Sequence, residues 1–212
     1  MTKIKICGIT TETEAGLLNK YMPDYAGFVF AQSRRRVSPE RAAGLVRLLS
    51  RNIKKVGVFV NHDVGTTAEI ARLACLDAVQ LHGEEDGAYV CALRKLLGPG
   101  VEIWKAFRID AAHRPDKNDF AGSHADRILL DAYVEGSYGG TGRRFDWELV
   151  KNMRTELPVV LAGGLNPDNV RLAMETASPY AVDTSSGVET DGMKDEEKLR
   201  AFINAVRKGP VY

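Results

Sequence analysis

The sequence alternates short apolar runs with stretches of helical spacing, and this alternation most limits the folds available to the chain. The runs have the length and the Val, Ile and Phe content of β-strands. After most of them, apolar residues recur three and four positions apart, as in a helix packed on one face. The runs occupy residues 3–7, 25–30, 55–60, 78–82, 102–107, 127–131, 158–162 and 180–183. Eight such units predict a parallel sheet with helical crossovers.

Eight units within 212 residues fit a closed (βα)8 barrel, the TIM barrel, with short loops. The alternative is an open doubly wound sheet, which usually has fewer strands. The strand count favours the barrel and leaves little room for anything else. We therefore predict an α/β fold with a single barrel domain over residues 1–212.

Helix start signals support the alternation. Ser38 before Pro39 predicts a helix that begins with an N-cap and a proline in its first turn. Asn166 before Pro167 predicts a second helix of this kind, and residues 195–206 have the apolar spacing of a last helix. The connection over residues 108–126 is polar and predicts only a loop or a short helix.

Composition excludes several classes of function. The 29 Lys and Arg residues nearly balance the 28 Asp and Glu residues, so the net charge of +1 gives no argument for nucleic-acid binding. No apolar run approaches the roughly 18 residues of a membrane span. Three cysteines argue against a disulfide framework and predict a reducing, cytoplasmic location. Two of them, Cys75 and Cys91, lie in helical stretches and are expected to pack there. No Cys or His spacing predicts a metal site.

In a TIM barrel, chemistry lies at the carboxyl ends of the strands. The first strand ends at Cys7, and Lys5 lies on the same, inward face because side chains alternate. A nearby ammonium group favours a thiolate, which would make Cys7 reactive. Cysteine is also among the most buried residue types, so a packing role is about equally supported.

Polar residues end two further strands. Gln80 and His82 share the inward face of the fourth strand, where they form either a structural pair or a ligand contact. Asp131 ends the sixth strand as an isolated carboxylate. It is either a proton donor or a helix-capping loop residue.

Glycines and small hydroxyl residues follow the last three strands. Gly163 and Gly164 follow the seventh strand, and Ser185, Ser186 and Gly187 follow the eighth. Barrels often bind phosphate at these two loops, where backbone N–H groups approach an anion closely. The arginines at residues 34–36 follow the second strand, and one of them can reach a carboxylate.

Ten segments of the sequence, in this order, resemble the phosphoribosylanthranilate isomerase family of tryptophan biosynthesis. The segments are KICGIT at 5–10, GFVF at 27–30, SRRRVSP at 33–39, VGVFVN at 56–61, VQLHG at 79–83, LLD at 129–131, GGTG at 139–142, FDW at 145–147, LAGGLNPDNV at 161–170 and VDTSSGVE at 182–189.

The resemblance implies an Amadori rearrangement of N-(5-phosphoribosyl)anthranilate to 1-(2-carboxyphenylamino)-1-deoxyribulose 5-phosphate. It implies Cys7 as general base and Asp131 as general acid, with no cofactor and no metal. One proton donor and one acceptor on opposite sides of the sugar suffice for this reaction.

The resemblance also implies the binding residues. Arg35 would meet the anthranilate carboxylate, although its arginine neighbours allow this assignment to move to Arg36. The phosphorylated small-molecule substrate would further contact Gln80, His82, Gly140, Gly163, Gly164, Asp183, Ser185, Ser186 and Gly187. Residues 139–142 would form a mobile loop over the site. The eighth strand departs from the expected pattern at Thr184, where an apolar residue is more usual.

Two other functions remain as alternatives at this point. Another phosphosugar isomerase with the same fold would perform a similar rearrangement, but the family of that kind in histidine biosynthesis uses two aspartates where this chain has Cys7. A non-catalytic barrel that binds a phosphorylated ligand would not need both Cys7 and Asp131. The sequence leaves the oligomeric state open between monomer and homodimer.

Overall fold

The computed structural model describes residues 1–109, 115–131, 150, 153 and 155–208. Eight parallel strands pair in chain order and close into a barrel, which confirms the predicted fold. Each strand begins and ends within one residue of its predicted position. The strands are β1 (Lys3–Cys7), β2 (Tyr25–Val29), β3 (Lys54–Phe59), β4 (Ala78–Leu81), β5 (Glu102–Arg108), β6 (Arg127–Asp131), β7 (Val159–Ala162) and β8 (Ala181–Thr184).

Within the described ranges, helices follow all strands of the barrel except β6. They are α1 (Glu12–Tyr21), α2 (Pro39–Leu48), α3 (Val64–Leu73), α4 (Gly87–Leu97), α5 (Lys117–Gly122), α6 (Val170–Ala177) and α7 (Glu196–Arg207). The predicted start of α2 is confirmed, because the Ser38 side chain accepts a hydrogen bond from the backbone N–H of Arg41 and Pro39 opens the helix. The prediction for the polar connection is also confirmed, because α5 has only six residues.

The predicted start of α6 is wrong. Pro167 lies in a turn, and the helix begins three residues later, after Asn169, whose side chain makes no capping hydrogen bond. The Asn166 side chain accepts hydrogen bonds from the backbone N–H groups of Asp168 and Asn169 instead, at 2.9 and 3.1 Å. Asn166 therefore stabilises a turn that competes with the first turn of a helix.

The apolar core has two layers. Outward-facing strand residues such as Ile4, Ile6 and Val79 pack against the helices in the larger layer. The smaller layer fills the barrel and contains Tyr25, Val56, Ala78, Trp104, Ala106, Leu129, Val160, Ala162 and Ala181. Because side chains alternate along each strand, the residues that continue the inner layer towards the carboxyl ends face the mouth of the barrel.

The amino-terminal end of the barrel is closed by aromatic and charged side chains. The Tyr25 and Tyr180 hydroxyl groups lie 2.9 Å apart, and the Arg127 guanidinium lies 4.1 Å from the centre of the Tyr180 ring. Glu102 accepts hydrogen bonds from Arg127 and from the indole N–H of Trp104. These groups satisfy one another and seal this end of the barrel.

The packing prediction for two cysteines is wrong. Cys75 and Cys91 are both exposed, and Cys75 has a positive φ of 48° just after α3. Helical spacing placed Cys91 correctly within α4 but not on its exposed side, and it placed Cys75 in a helix that ends at Leu73. No helix in the described ranges combines the length and apolar character that a membrane crossing requires.

Candidate active site

A buried ion pair lies directly below Cys7. Lys5 and Asp183 face each other across the β1–β8 junction, with 2.8 Å between Nζ and Oδ2. The Lys5 side chain is fully buried, as the alternation of β1 requires. Burial works to lower the pKa of Lys5, but the Asp183 carboxylate and Cys7 together raise it, so Lys5 remains a cation.

Cys7 is partly buried at the end of β1, opposite Gly27 of β2. A Cβ atom at Gly27 would lie 2.8 Å from Sγ of Cys7, so only glycine leaves room for the thiol. Burial raises the pKa of the Cys7 thiol; the Lys5 charge lowers it, but less than burial raises it. Lys5 therefore lowers the pKa of the Cys7 thiol, as expected, but burial and the Asp183 charge together raise it more, so the thiolate is not the favoured form.

Three predicted residues form one chain of hydrogen bonds at the ends of β4 and β6. Nε2 of Gln80 lies 2.8 Å from Nδ1 of His82, and Nε2 of His82 lies 3.1 Å from Oδ2 of Asp131. If the Gln80 amide donates to Nδ1, then Nε2 of His82 carries the proton and donates to Asp131. The second oxygen of Asp131 then remains available at the mouth of the barrel.

Two buried side-chain oxygens lack a hydrogen-bond partner among the residues that the structure describes. They are Oε1 of Gln80 and Oδ1 of Asp183. Both belong to inward-facing residues at the carboxyl end of the barrel. An unpaired buried acceptor is costly, so both oxygens are candidates for a hydrogen bond from a ligand.

The three consecutive arginines differ in exposure and in hydrogen-bond partners. Arg35 is half-buried, and its guanidinium binds Glu189 with Nε and Nη2, each at 2.7 Å. Arg34 is largely exposed and donates one hydrogen bond to the same carboxylate at 2.9 Å. Arg36 is exposed. The assignment to Arg35 or Arg36 stays a prediction; the Arg35 side chain lies against Gly8, just after β1, whereas Arg36 is exposed.

The small residues after β7 and β8 form one continuous surface. Gly163 and Gly164 both have positive φ, of 94° and 65°, which side chains rarely tolerate. A Cβ atom at Gly187 would collide with the carbonyl oxygen of Leu165. Thr184 explains the departure noted in the sequence, because its hydroxyl donates to that same carbonyl at 2.6 Å and ties the two loops together.

Ser185 connects this surface to the first strand. Its hydroxyl donates to the carbonyl oxygen of Cys7 at 2.9 Å. Ser186 and Gly187 follow in a short 3₁₀ turn, Ser186–Val188. Two predicted features lie outside the described residues, namely Gly140 and the loop at 139–142 that contains it.

Sequence reasoning missed two residues of the site, Glu189 and Lys194. They pair across a small antiparallel hairpin, β9 (Glu189–Thr190) and β10 (Met193–Lys194), with 2.7 Å between Nζ and Oε1. Burial opposes ionisation of Glu189, but Arg35 and Lys194 lower its pKa to about 2. The signal in the sequence was the acidic residue Glu189 directly after the SSGV segment.

Comparison with known proteins gives a consistent family. The family model described as N-(5'phosphoribosyl)anthranilate (PRA) isomerase matches residues 4–205. The N-(5'-phosphoribosyl)anthranilate isomerase of Acetivibrio thermocellus is 49% identical over 213 residues, covering 98% of this chain and 97% of the relative.

Solved structures agree. The phosphoribosyl anthranilate isomerase of Thermotoga maritima superposes with a TM-score of 0.81 at 36% identity, covering 98% of this chain and 100% of that one. A phosphoribosyl anthranilate isomerase in complex with reduced 1-(o-carboxyphenylamino)-1-deoxyribulose 5-phosphate superposes with a TM-score of 0.79 at 33% identity, with the same coverage.

Proposed function

The chain belongs to the N-(5'-phosphoribosyl)anthranilate isomerase family, and we propose that Cys7 and Asp131 perform the two proton transfers of its isomerisation. The substrate is N-(5-phosphoribosyl)anthranilate, and the reaction is an Amadori rearrangement within tryptophan biosynthesis. The observation that carries the proposal is the placement of Cys7 and Asp131 at inward-facing ends of β1 and β6, with β7 and β8 between them. A sugar at the mouth of the barrel lies between the two side chains.

Asp131 acts first, as the general acid. It delivers a proton to the ribose ring oxygen, the bond from that oxygen to C1′ breaks, and the anthranilate nitrogen forms a Schiff base with C1′. The hydrogen bond from His82 holds Asp131 by one oxygen, so the other oxygen is directed to the substrate. Gln80 in turn fixes the orientation of the His82 ring.

Cys7 acts second, as the general base. It removes the proton from C2′, and the electron pair forms the C1′–C2′ double bond of an enolamine. Loss of the hydroxyl proton at C2′ and protonation of C1′ then give the ketone product. Because burial raises the pKa of the Cys7 thiol, the thiolate is the minor form at neutral pH, and the adjacent Lys5 cation stabilises it when it forms.

Three further groups bind the ends of the substrate. Arg35 receives the anthranilate carboxylate, for which a guanidinium is well suited. The phosphate lies at Gly163, Gly164, Ser185, Ser186 and Gly187, where glycine conformations allow close approach of backbone N–H groups. The unpaired oxygen of Asp183 accepts a hydrogen bond from a sugar hydroxyl.

The wider setting follows from the same chemistry. The proton transfers need only Cys7 and Asp131, so the reaction proposed here requires no cofactor.

The three cysteines of the chain are free thiols, which supports the prediction of a reducing cytoplasmic location. The ligand we propose is a phosphorylated small molecule, as in the complex of the relative.

The test is turnover of freshly prepared phosphoribosylanthranilate, followed by the loss of substrate fluorescence. We expect Cys7→Ser to lower kcat by about 100-fold or more, because a hydroxyl is a far weaker base than a thiolate. Near wild-type kcat in Cys7→Ser would remove Cys7 from the mechanism. Absence of turnover in the wild-type chain, with tight binding of a product analogue, would indicate a binding protein instead.

A further inference from the structure

We propose that Glu189 is a positioning residue that fixes the Arg35 guanidinium at the mouth of the barrel and so sets the selectivity for substrates that carry a carboxylate on the aromatic ring. This inference rests on the proposed contact between Arg35 and that carboxylate. Glu189 itself does not touch the substrate in this proposal. It acts by holding Arg35 in one orientation before the substrate binds.

The Arg35 side chain is held along its length. Its aliphatic part crosses Gly8, where a Cβ atom would collide with Cδ of Arg35 and lie 3.2 Å from Oγ of Ser185. Its guanidinium is bound by Glu189 through Nε and Nη2. Such a two-point contact fixes the plane of the group. Nη1 makes no hydrogen bond to the described residues, so it remains for a second carboxylate.

Glu189 is itself immobilised by its neighbours. Lys194, whose side chain is fully buried, donates to Oε1 at 2.7 Å, and Lys198 donates to the backbone carbonyl of Glu189 at 2.7 Å. Nζ of Lys194 also lies 3.2 Å from the carbonyl oxygen of Ser185. One buried anchor therefore supports both the carboxylate-binding arginine and the loop predicted to bind phosphate.

The charge balance leaves Arg35 able to bind another anion. The single carboxylate of Glu189 faces three cations, Lys194, Arg35 and Arg34. These four side chains carry a net charge of +2, and Glu14, a further carboxylate that acts on Arg35, reduces it to +1, so Glu189 orients Arg35 without neutralising its surroundings. An arginine that is fixed before binding loses less conformational freedom when the carboxylate arrives.

The experiment compares two substrates, phosphoribosylanthranilate and the corresponding aniline derivative, which lacks the carboxylate. The readout is the ratio of their kcat/KM values, which a general loss of folded enzyme does not change. We expect Arg35→Ala to lower the preference for the carboxylated substrate by about 100-fold, since a charge-assisted contact is lost. We expect Glu189→Gln to lower this preference by about tenfold, because the amide accepts only one of the two hydrogen bonds that Arg35 donates to the carboxylate.

A double variant tests whether the two residues act through one contact. If Glu189 acts only by positioning Arg35, then Arg35→Ala with Glu189→Gln should show no greater loss of preference than Arg35→Ala alone. Additive losses would mean that Glu189 contributes independently of Arg35 and would overturn the proposal.

The matched control is Glu102→Gln at the other end of the barrel. Glu102 binds Arg127 in the same two-point manner, at 2.8 and 3.0 Å, and its pKa is also lowered to about 2. The substrate preference of Glu102→Gln should equal that of the wild type. An equal change in both variants would mean that the ratio reports damage to the barrel, which would overturn the proposal.

The remaining outcomes distinguish the positioning role of Glu189 from the proposed contact between Arg35 and the substrate carboxylate. If Arg35→Ala lowers the preference and Glu189→Gln does not, the positioning role is wrong and the carboxylate contact stands. If Arg35→Ala leaves the preference unchanged, the contact and the inference both fail. If Glu189→Gln does not fold, Glu189→Gln with Lys194→Met removes the buried pair together, and the same tenfold loss of preference is expected of it.

Discussion

Each end of the barrel carries one glutamate that binds an arginine in a two-point contact. At the amino-terminal end, Glu102 binds Arg127, and the neighbouring aromatic residues complete a closed network. At the carboxyl end, Glu189 binds Arg35 beside a mouth that has two unpaired buried acceptors among the described residues. We therefore expect the Glu102–Arg127 pair to act on stability, and we propose that the Glu189–Arg35 pair acts on ligand binding.

The two ends of β1 and of β6 also differ in the partners of their charged residues. On β1, Lys3 at the start pairs with Asp24 and is about half exposed, whereas Lys5 pairs with Asp183 and is fully buried. On β6, Asp126 just before the strand binds Arg94 and the backbone N–H of Ile103, whereas Asp131 at its end binds His82. Each pair offers a matched test of the two ends.

The largest expected effect is the difference between Asp131, which ends β6, and Asp126, which directly precedes it. Asp131→Asn should lower kcat by about 1,000-fold with little change in stability, because it removes the proton donor but keeps a hydrogen-bonding side chain. Asp126→Asn should leave kcat near the wild-type value and lower the free energy of unfolding by about 1–2 kcal/mol, because a charge-assisted hydrogen bond is weakened. Steady-state kinetics and urea unfolding measure both. A rise in KM alone for Asp131→Asn would make Asp131 a binding residue.

The next effect concerns Glu102 and acid stability. Its pKa is lowered from 4.5 to about 2 in the folded chain; burial works against ionisation, and Arg127 and Trp104 overcome it. A lowered folded-state pKa stabilises the fold above pH 4.5, and this contribution is lost as the pH falls towards 2. Glu102→Gln should therefore be about 2 kcal/mol less stable at neutral pH, and its stability should fall less steeply with acid.

Urea unfolding at neutral pH and near pH 3.5 measures this difference. The wild type should lose about 1 kcal/mol more than Glu102→Gln between the two values, through this one group. Equal losses of unfolding free energy in the two proteins would show that the contact with Arg127 does not lower the pKa of Glu102. The kcat/KM of Glu102→Gln should not change, since Glu102 lies at the closed end.

A smaller effect separates the two lysines of β1. Because the Lys5 charge lowers the pKa of the Cys7 thiol, Lys5→Met should raise that pKa further. Alkylation of Cys7 by iodoacetamide near neutral pH should then slow by about three- to tenfold. The exposed Cys75 and Cys91 must first be replaced by serine, so that only Cys7 reacts.

Lys3→Met is the control for this measurement, because Lys3 lies at the other end of the strand with its partner Asp24. Its alkylation rate should match that of the parent protein across the pH range. An unchanged or faster rate in Lys5→Met would show that the Lys5 charge does not stabilise the thiolate. Asp183 raises the Cys7 pKa, so Asp183→Asn should speed the alkylation of Cys7, whereas Lys5→Met slows it.

The smallest effect is expected for Arg34. Its side chain is 62% exposed and contributes one hydrogen bond to Glu189. An exposed ion pair of this kind contributes little, so Arg34→Ala should change KM by less than about twofold. A KM increase in Arg34→Ala that matches Arg35→Ala would move the carboxylate contact to Arg34.

Much of the site was predictable because it depends on strand ends. Cys7 and Lys5 were placed on the inward face by alternation alone, and the structure finds Lys5 fully buried there. The roles of Cys7, Asp131 and Arg35 came from the resemblance and stay predictions. Other parts were not predictable, because the strength of a charge depends on its partners. Lys5 acts on Cys7 as expected, but the pairing of β1 with β8 also brings Asp183, 178 residues away, against Lys5, and the Asp183 charge opposes that effect.

The sequence by itself determined the eight-stranded barrel, its strand ends and the residues facing its mouth, because these follow from local periodicity and the chain order of β–α units. Only the tertiary structure decided which polar groups are paired. Glu189 and Lys194 became part of the site because a short hairpin brings them to Arg35 across 154 residues of sequence. Such long-range pairs leave no periodic signal along the chain, and they fix the charge and orientation of each group at the mouth.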